Sequence, residues 1–286
     1  MKKLKSTFSG KHQVSKICKI LEVPRSTYYY KPIETSEDET VIAAVKKSFK
    51  DSYGTYGTPR IKADLKGLGY SVSRLRIGRI MTSNNLESCY PKKKRKQAKT
   101  AVNETSHPNI VNRQFNDRKE HKVIVSDTTY IDIGKKWHYL CPLLDLSRRS
   151  IVGSHVSCNR DASLVVKSLY SADFDLRETE IFHTDRGSEF NSKSVDEILE
   201  GFEIKRSLSA KGNPIDNAVI ESFFKTVKIE FINRYKFDNI DSFISEWEKY
   251  VHWYNYKRLH SSLGYQAPMV ASQVDIKEKS SKLPET

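Results

Sequence analysis

Apolar residues in the first ninety positions recur every three or four places, the spacing that lays them along one side of a helix. In HQVSKICKILE (12–22), Val14, Ile17, Cys18 and Leu21 form such a stripe. VPRS then breaks and restarts the chain, with Ser26 able to cap the short stretch STYYY. After the acidic run ETSEDE, Val41, Ile42, Val45 and Phe49 make a second helical face. The turn DSYGTYGTPR leads into a helix over PRIKADLKGL (59–68), where Pro59 suits the first turn because no intrahelical partner awaits its missing N–H. SVSRLRIGRIMTSNNL gives a further helix with Ser73 at its N-cap.

From residue 122 the pattern changes. KVIVSDTTYIDI (122–133) alternates like a strand, WHYLCPLLDLSRR (137–149) follows a Gly-Lys-Lys turn, and IVGSHVS (151–157) is a third strand in hairpin succession. RDASLVVKSLYSADF (160–174) reads as helix and EIFHTD (180–185) as a buried strand. A helix at 192–201, the strand EIKRSLS (203–209) and long helices at 217–235 and 240–256 follow. A three-strand meander followed by strand–helix alternation predicts an α/β fold: a mixed five-stranded sheet with flanking helices, preceded by a small all-α region of helix-turn-helix type. The boundaries predicted are a helix-turn-helix-like segment at 1–35, a helical DNA-binding domain at 36–90, a basic linker at 91–115, the α/β core at 116–275 and a tail at 276–286.

Charge sharpens this division. Of the net +14, residues 1–99 hold 23 Lys+Arg against 8 Asp+Glu, and the remainder holds 26 against 27. An excess confined to one end is the footprint of a nucleic-acid-binding arm, because neutralising phosphates releases counterions whatever the base sequence. The first helical pair, with Arg25 at its turn, reads either as a helix-turn-helix entering a major groove or as a structural hairpin. Arg74, Arg76 and Arg79 sit on one short helix, suited to phosphate and base contacts. PKKKRKQAKT has no apolar period and reads as a linker able to hold DNA by charge. The four cysteines form no CxxC pair, which argues against a zinc knuckle or a disulfide framework. No run approaches the roughly 18 apolar residues that span a bilayer, and the basic N-terminus lacks an apolar signal core, so a cytoplasmic protein with no membrane partner is expected.

Three acids stand out for their positions. Asp127 falls inside the first strand among Val123, Val125, Thr129 and Ile131, where a carboxylate is costly unless paired or metal-bound. Asp185 stands at the end of the fourth strand, the kind of position where open α/β sheets build sites. Glu221 lies on the helix after AKGNPIDN, with Asn217, Lys225 and Lys228 at i−4, i+4 and i+7, a shared face that DNA could contact, Lys225 reading equally as a local Glu–Lys pair. If the three converge, repulsion at about 4 Å and an effective dielectric near 20 is roughly 4 kcal/mol per pair. A hard divalent cation would remove that conflict, oxygen ligands selecting Mg²⁺ or Mn²⁺ over zinc. Gly187 lets the chain turn after Asp185, Glu189 has no assigned role, and His183 reads as a core histidine. Arg258 and His260 follow the last long helix, placed either to meet phosphate or to cap that helix.

Between Asp185 and Glu221 lie 35 residues, and VSDTTYIDI, HTDRGSEF and DNAVIESFFKTVKIE resemble the Asp-Asp-35-Glu signature of retroviral-type integrase cores. WHYLCPLLDLSRRSIVGSHVS, RSLSAKGNPIDN and YNYKRLHSSLGYQAP are similar to insertion-sequence transposases of the IS-three family, second-reading-frame product, and SYGTYGTPRIKADLKGLGYSVSRLRIGRIM to the helical domain before their core. The resemblance spans about residues 10 to 270. It departs at Ile124, where the family usually carries Trp. It implies a ribonuclease-H-like core with Asp127, Asp185 and Glu221 holding two Mg²⁺ or Mn²⁺ ions. Its chemistry is cleavage of element ends followed by strand transfer. Duplex DNA is the implied partner, bound by a homo-oligomer, with an upstream-frame protein or fusion as a possible further partner. Two other readings stand beside this one: a catalytically silent DNA-binding or regulatory subunit, and a nuclease of the same fold acting on RNA–DNA hybrids.

Overall fold

The apolar stripes of the N-terminal third form α1 (Val14–Ile20), α2 (Arg25–Tyr29), α3 (Glu39–Asp51), α4 (Thr58–Gly67) and α5 (Arg74–Ser83). The structure is a computed structural model that describes residues 14–20, 22, 24–29, 39–90, 110–111, 119–209 and 217–271. The run PKKKRKQAKT with most of the expected linker, most of AKGNPIDN and the 276–286 tail lie outside the described residues. Pro59 stands in the first turn of α4, and the Ser73 hydroxyl accepts the Arg76 N–H at the start of α5. Ile61, Leu65, Ile77, Ile80 and Met81 turn inward from these two helices.

The chain divides into two compact units, Met1–Ile42 and Ala43–Thr286. The helical segment from Ala43 onward therefore shares a unit with the α/β core, across the boundary that the sequence places near residue 90. Among the described residues no helix is long and apolar enough to cross a membrane.

The sheet has six strands: β1 (Val123–Ser126), β2 (Thr129–Ile133), β3 (Lys136–Asp145), β4 (Ile151–Ser157), β5 (Ile181–Thr184) and β6 (Lys205–Leu208). β1 and β2 both pair antiparallel to β3, with Ile124 opposite Asp145 and Thr129 opposite Leu140. They are thus one line of chain interrupted at Asp127–Thr128, which is why six strands appear where five are expected. The cause is local: the Asp127 carboxylate accepts the Thr128 N–H at 2.7 Å, drawing that amide out of the ladder. β4 pairs antiparallel with β3, while β1, β5 and β6 run parallel to one another.

α6 (Ala162–Tyr170) and α7 (Lys193–Gly201) bury Leu164, Val165, Leu169, Val195 and Leu199 against Ile124, Cys141, Leu143 and Phe182 of the sheet. Each such side chain is worth roughly 1.5–3 kcal/mol of transfer free energy. The helix expected over 217–235 is α8 (Ala218–Val227) continued by a π-helical turn, Lys228–Ile232. That turn buries Glu230 and Phe231. α9 (Ile240–Tyr256) starts at a capping box formed by Asn239 and Ser242. It is tied to β4 by Trp247 Nε1 donating to Ser154 Oγ and by Asn255 bonding both backbone groups of Ile151.

Candidate active site

β1 and β5 are parallel neighbours, with Val125 opposite His183. Two residues further along each strand stand Asp127 and Asp185, so the register sets both half-buried carboxylates at the same end of the sheet. Burial raises the Asp127 carboxyl to about 6, and the negative charges of Asp185 and Glu189 push the same way, against the Thr128 N–H and the Arg160 guanidinium. Asp185 Oδ1 accepts the Gly187 N–H at 2.9 Å.

Glu189, to which the sequence assigns no role, belongs to this cluster. Its side chain is 1% exposed, and Oε1 accepts the Thr128 hydroxyl at 2.7 Å and Arg160 Nε and Nη2 at 2.8 and 2.7 Å. Among the described residues Oε2 has no hydrogen-bond partner. A Cβ at Gly187 would lie 2.6 Å from that Oε2, a place the anchored Glu189 side chain would have to vacate. The φ of Gly187 is not among the positive ones, so the turn alone does not demand glycine. No periodic signal marks Glu189 or Arg160, since both become site residues only when strand ends meet. His183 is buried, its Nδ1 2.9 Å from Ser207 Oγ, a strand-to-strand tie between β5 and β6.

Glu221 stands exposed in the first turn of α8, and Lys225 is exposed one turn on. The structure does not gather Glu221 with the two aspartates: among the described residues no three His, Cys, Asp or Glu side chains are grouped to hold a metal ion. Asn217 is buried, not aligned with that exposed face. Lys228 places Nζ 4.9 Å from the Tyr130 ring centroid. Arg25, Arg74 and Arg79 are exposed and Arg76 is half-buried.

Arg258 is a correction. It is 2% exposed, its Nε donating to Glu230 Oε2 at 2.7 Å and its Nη2 to Oε1 at 2.8 Å. Burial opposes both charges, but each outweighs it for the other: Glu230 is held below the usual carboxylate range and Arg258 well above the usual arginine range. The Tyr90 and Tyr250 hydroxyls and Arg60 also donate to Glu230, and the Tyr56 hydroxyl donates to Lys257 O while accepting the Leu259 N–H. A buried guanidinium needs such partners, and the basic residue in a polar sequence context gave no sign of them.

Residues 117–214 and 202–268 match models of the integrase core domain, and residues 36–95 match an HTH-like domain. With the mixed sheet and the paired strand-end aspartates, these matches define the class: a DDE-type polynucleotidyl transferase with a ribonuclease-H-like core. The transposase for insertion sequence element IS904 of Lactococcus lactis subsp. lactis (strain IL1403) is 33% identical over 81% of this chain and 93% of its own. Transposase InsF for insertion sequence IS3A of Escherichia coli (strain K12) is 28% identical over 93% of this chain and 97% of its own. Among solved structures, the simian T-cell lymphotropic virus intasome in complex with PP2A regulatory subunit B56 gamma is 13% identical, with TM-score 0.45, covering 79% of this chain and 73% of that one. The chain belongs to the insertion-sequence transposases, enzymes of DNA transposition.

Proposed function

We propose that Asp127, Asp185 and Glu221 are the carboxylates that catalyse cleavage of the insertion-sequence ends and their transfer to target DNA. The observation that carries this reading is the pairing of Asp127 with Asp185 at adjacent parallel strand ends, where burial first and the Asp185 charge after it raise the Asp127 carboxyl to about 6. Glu221 joins them on the 35-residue spacing and on its exposed place in α8.

The two paired aspartates, as oxygen donors of like charge, fit a hard divalent cation. Carboxylate oxygens in mutual repulsion, with few bonds to protein donors, are what Mg²⁺ or Mn²⁺ relieves. Asp127, Asp185 and Glu221 would hold two such ions, which would supply charge stabilisation to the attacking and leaving oxygens of phosphoryl transfer. The protein's own part is to hold Asp127 and Asp185 in register and to keep them poorly solvated. In cleavage, the oxygen of water forms a bond to phosphorus and the element's 3′-oxygen leaves, taking a proton. In joining, that 3′-hydroxyl attacks a target phosphodiester, a new phosphate ester forms, and the target's own 3′-oxygen leaves protonated. No covalent protein–DNA intermediate is required.

Arg25, Arg74, Arg76, Arg79, Lys225 and Lys228 are the proposed DNA contacts, a set from which Arg258 is withdrawn. The active species is a homo-oligomer on element-end and target DNA in the cytoplasm, assembled with the upstream-frame product or fused to it. The test is cleavage and joining of labelled end DNA with Mg²⁺, by this chain and by the fusion. Asp127→Asn, Asp185→Asn and Glu221→Gln each lose nearly all activity, and any double substitution loses little more, because the three act as one unit. A folded Glu221→Gln variant that still cleaves and joins efficiently removes Glu221 from the site.

A further inference from the structure

The β2–β3 hairpin carries an exposed aromatic pair that neither the fold nor the carboxylate site uses. Tyr130 is 59% exposed and Trp137 60%, and their rings stand perpendicular with centroids 5.2 Å apart. They are diagonal neighbours across the hairpin, since Trp137 pairs with Asp132, two residues along β2 from Tyr130. An aromatic pair that forms a contiguous exposed patch rimmed by polar groups marks an interaction site.

The hairpin is rigid at this point. Gly134 and Lys135 both have positive φ, the two-residue turn that matches strand twist. The Gly134 N–H donates to Phe237 O at 2.8 Å, and a Cβ at Gly134 would lie 2.7 Å from Asp238 O. A cavity of about 700 Å³ opens between the hairpin and the segment after α8, lined by the two rings and by Lys135, Lys228 and Lys236, with Asp132 and Asp238 also on its wall. Lys228 lies 4.9 Å from the Tyr130 centroid.

We propose that this corner is a binding platform for the unpaired bases of a DNA strand, resting on the carboxylate reading above. Stacking on an aromatic face is indifferent to base identity, and lysines around it hold the backbone by charge. The position supports a DNA strand over a protein partner. β2 continues directly from Asp127, and the turn bearing Lys228 continues from the helix bearing Glu221. A strand whose phosphate sits at the carboxylates passes this corner, and a base beside it, freed from its pair, stacks on the indole of Trp137. Lys228 and Lys135 then meet the flanking phosphates.

The protein reports on this directly. Of its three tryptophans, Trp247 and Trp253 are buried, so Trp137 dominates any change in fluorescence on contact with DNA. The full chain, free of divalent ions, is titrated with oligothymidylate, an abasic strand of equal length and a blunt duplex. Oligothymidylate should quench and the abasic strand should not. By anisotropy, Trp137→Ala and Tyr130→Ala should each weaken oligothymidylate binding by roughly 5- to 150-fold with duplex affinity unchanged. Lys228→Met should lower the salt slope for single strand by about 0.7. Both rings are more than half exposed, so folding survives their truncation, as circular dichroism verifies. Equal quenching by the abasic strand, or affinity within twofold in Trp137→Ala, overturns the platform while duplex binding leaves the carboxylate reading standing. A change in sedimentation of DNA-free Trp137→Ala also overturns it, marking the corner as a contact between copies. If no DNA of any form binds, the DNA reading of the function fails with it.

Discussion

At Gly187 the absence of one carbon decides whether the acidic cluster can close. The buried Glu189 carboxylate lies against that Cα, anchored by Thr128 and Arg160. Gly187→Ala should therefore cost about 1–3 kcal/mol in urea unfolding, as overpacked sites do. In a Glu189→Ala background the same change should cost almost nothing, a coupling that a double-mutant cycle measures. Additive losses would place the strain elsewhere. His260 gives a pH prediction. Burial, with the charges of Arg258, Arg60 and Arg149, lowers it from 6.5 to about 4 in the fold, so the unfolded chain binds the extra proton between those values. Its contribution is complete above pH 6.5 and is lost as pH falls toward 4. A His260→Gln variant should gain on the parent over that fall by at most about 3 kcal/mol, read from urea midpoints at each pH. A constant difference across the range would contradict the shift.

Among the elements, α5 was the most readable, because a Ser cap and a simple apolar stripe leave few alternatives. Its exposed Arg74 and Arg79 lead to a prediction about charge. Each Arg→Ala change should weaken duplex binding alike for specific and unrelated sequences if it meets phosphate, and should reduce the slope of log K against log salt by about 0.9. A loss confined to one sequence would mean base readout instead. Two elements were less readable. The alternation of KVIVSDTTYIDI runs unbroken through Asp127, so period alone shows one strand where the carboxylate's bond to Thr128 makes two. The pattern of 217–235 likewise shows one helix, and the π turn that buries both Glu230 and Phe231 answers to partners more than a dozen residues away.

At the scale of the molecule, the helical segment after residue 43 is fastened to the core by Glu230. Arg60 and Tyr90 reach it from the helical side and Arg258 and Tyr250 from the core, so the α5 arginines and the carboxylates share one unit. Glu230→Gln leaves the buried Arg258 charge without its partner and should destabilise the chain by about 3–5 kcal/mol. Hydrogen exchange should show the amides of α4 and α5 losing protection together with those of α9. If α4 and α5 keep their protection while stability falls, Glu230 supports the core alone.

The sequence by itself determined the order of elements, the location of excess positive charge, and two candidate carboxylates, Asp127 as an acid costly to bury in a strand and Asp185 as an acid at a strand end. These are local properties, written in apolar period, capping side chains and the chemistry of single residues. Tertiary structure decided the rest. The pairing of Asp127 with Asp185 depends on β1 and β5 being parallel neighbours in a given register. The entry of Glu189 and Arg160 into the site, and the withdrawal of Arg258 into a buried ion pair, depend on segments meeting that are distant along the chain. A charged side chain reads the same in sequence whether it faces DNA or a buried carboxylate, because its cost of burial is set by partners that only the fold supplies.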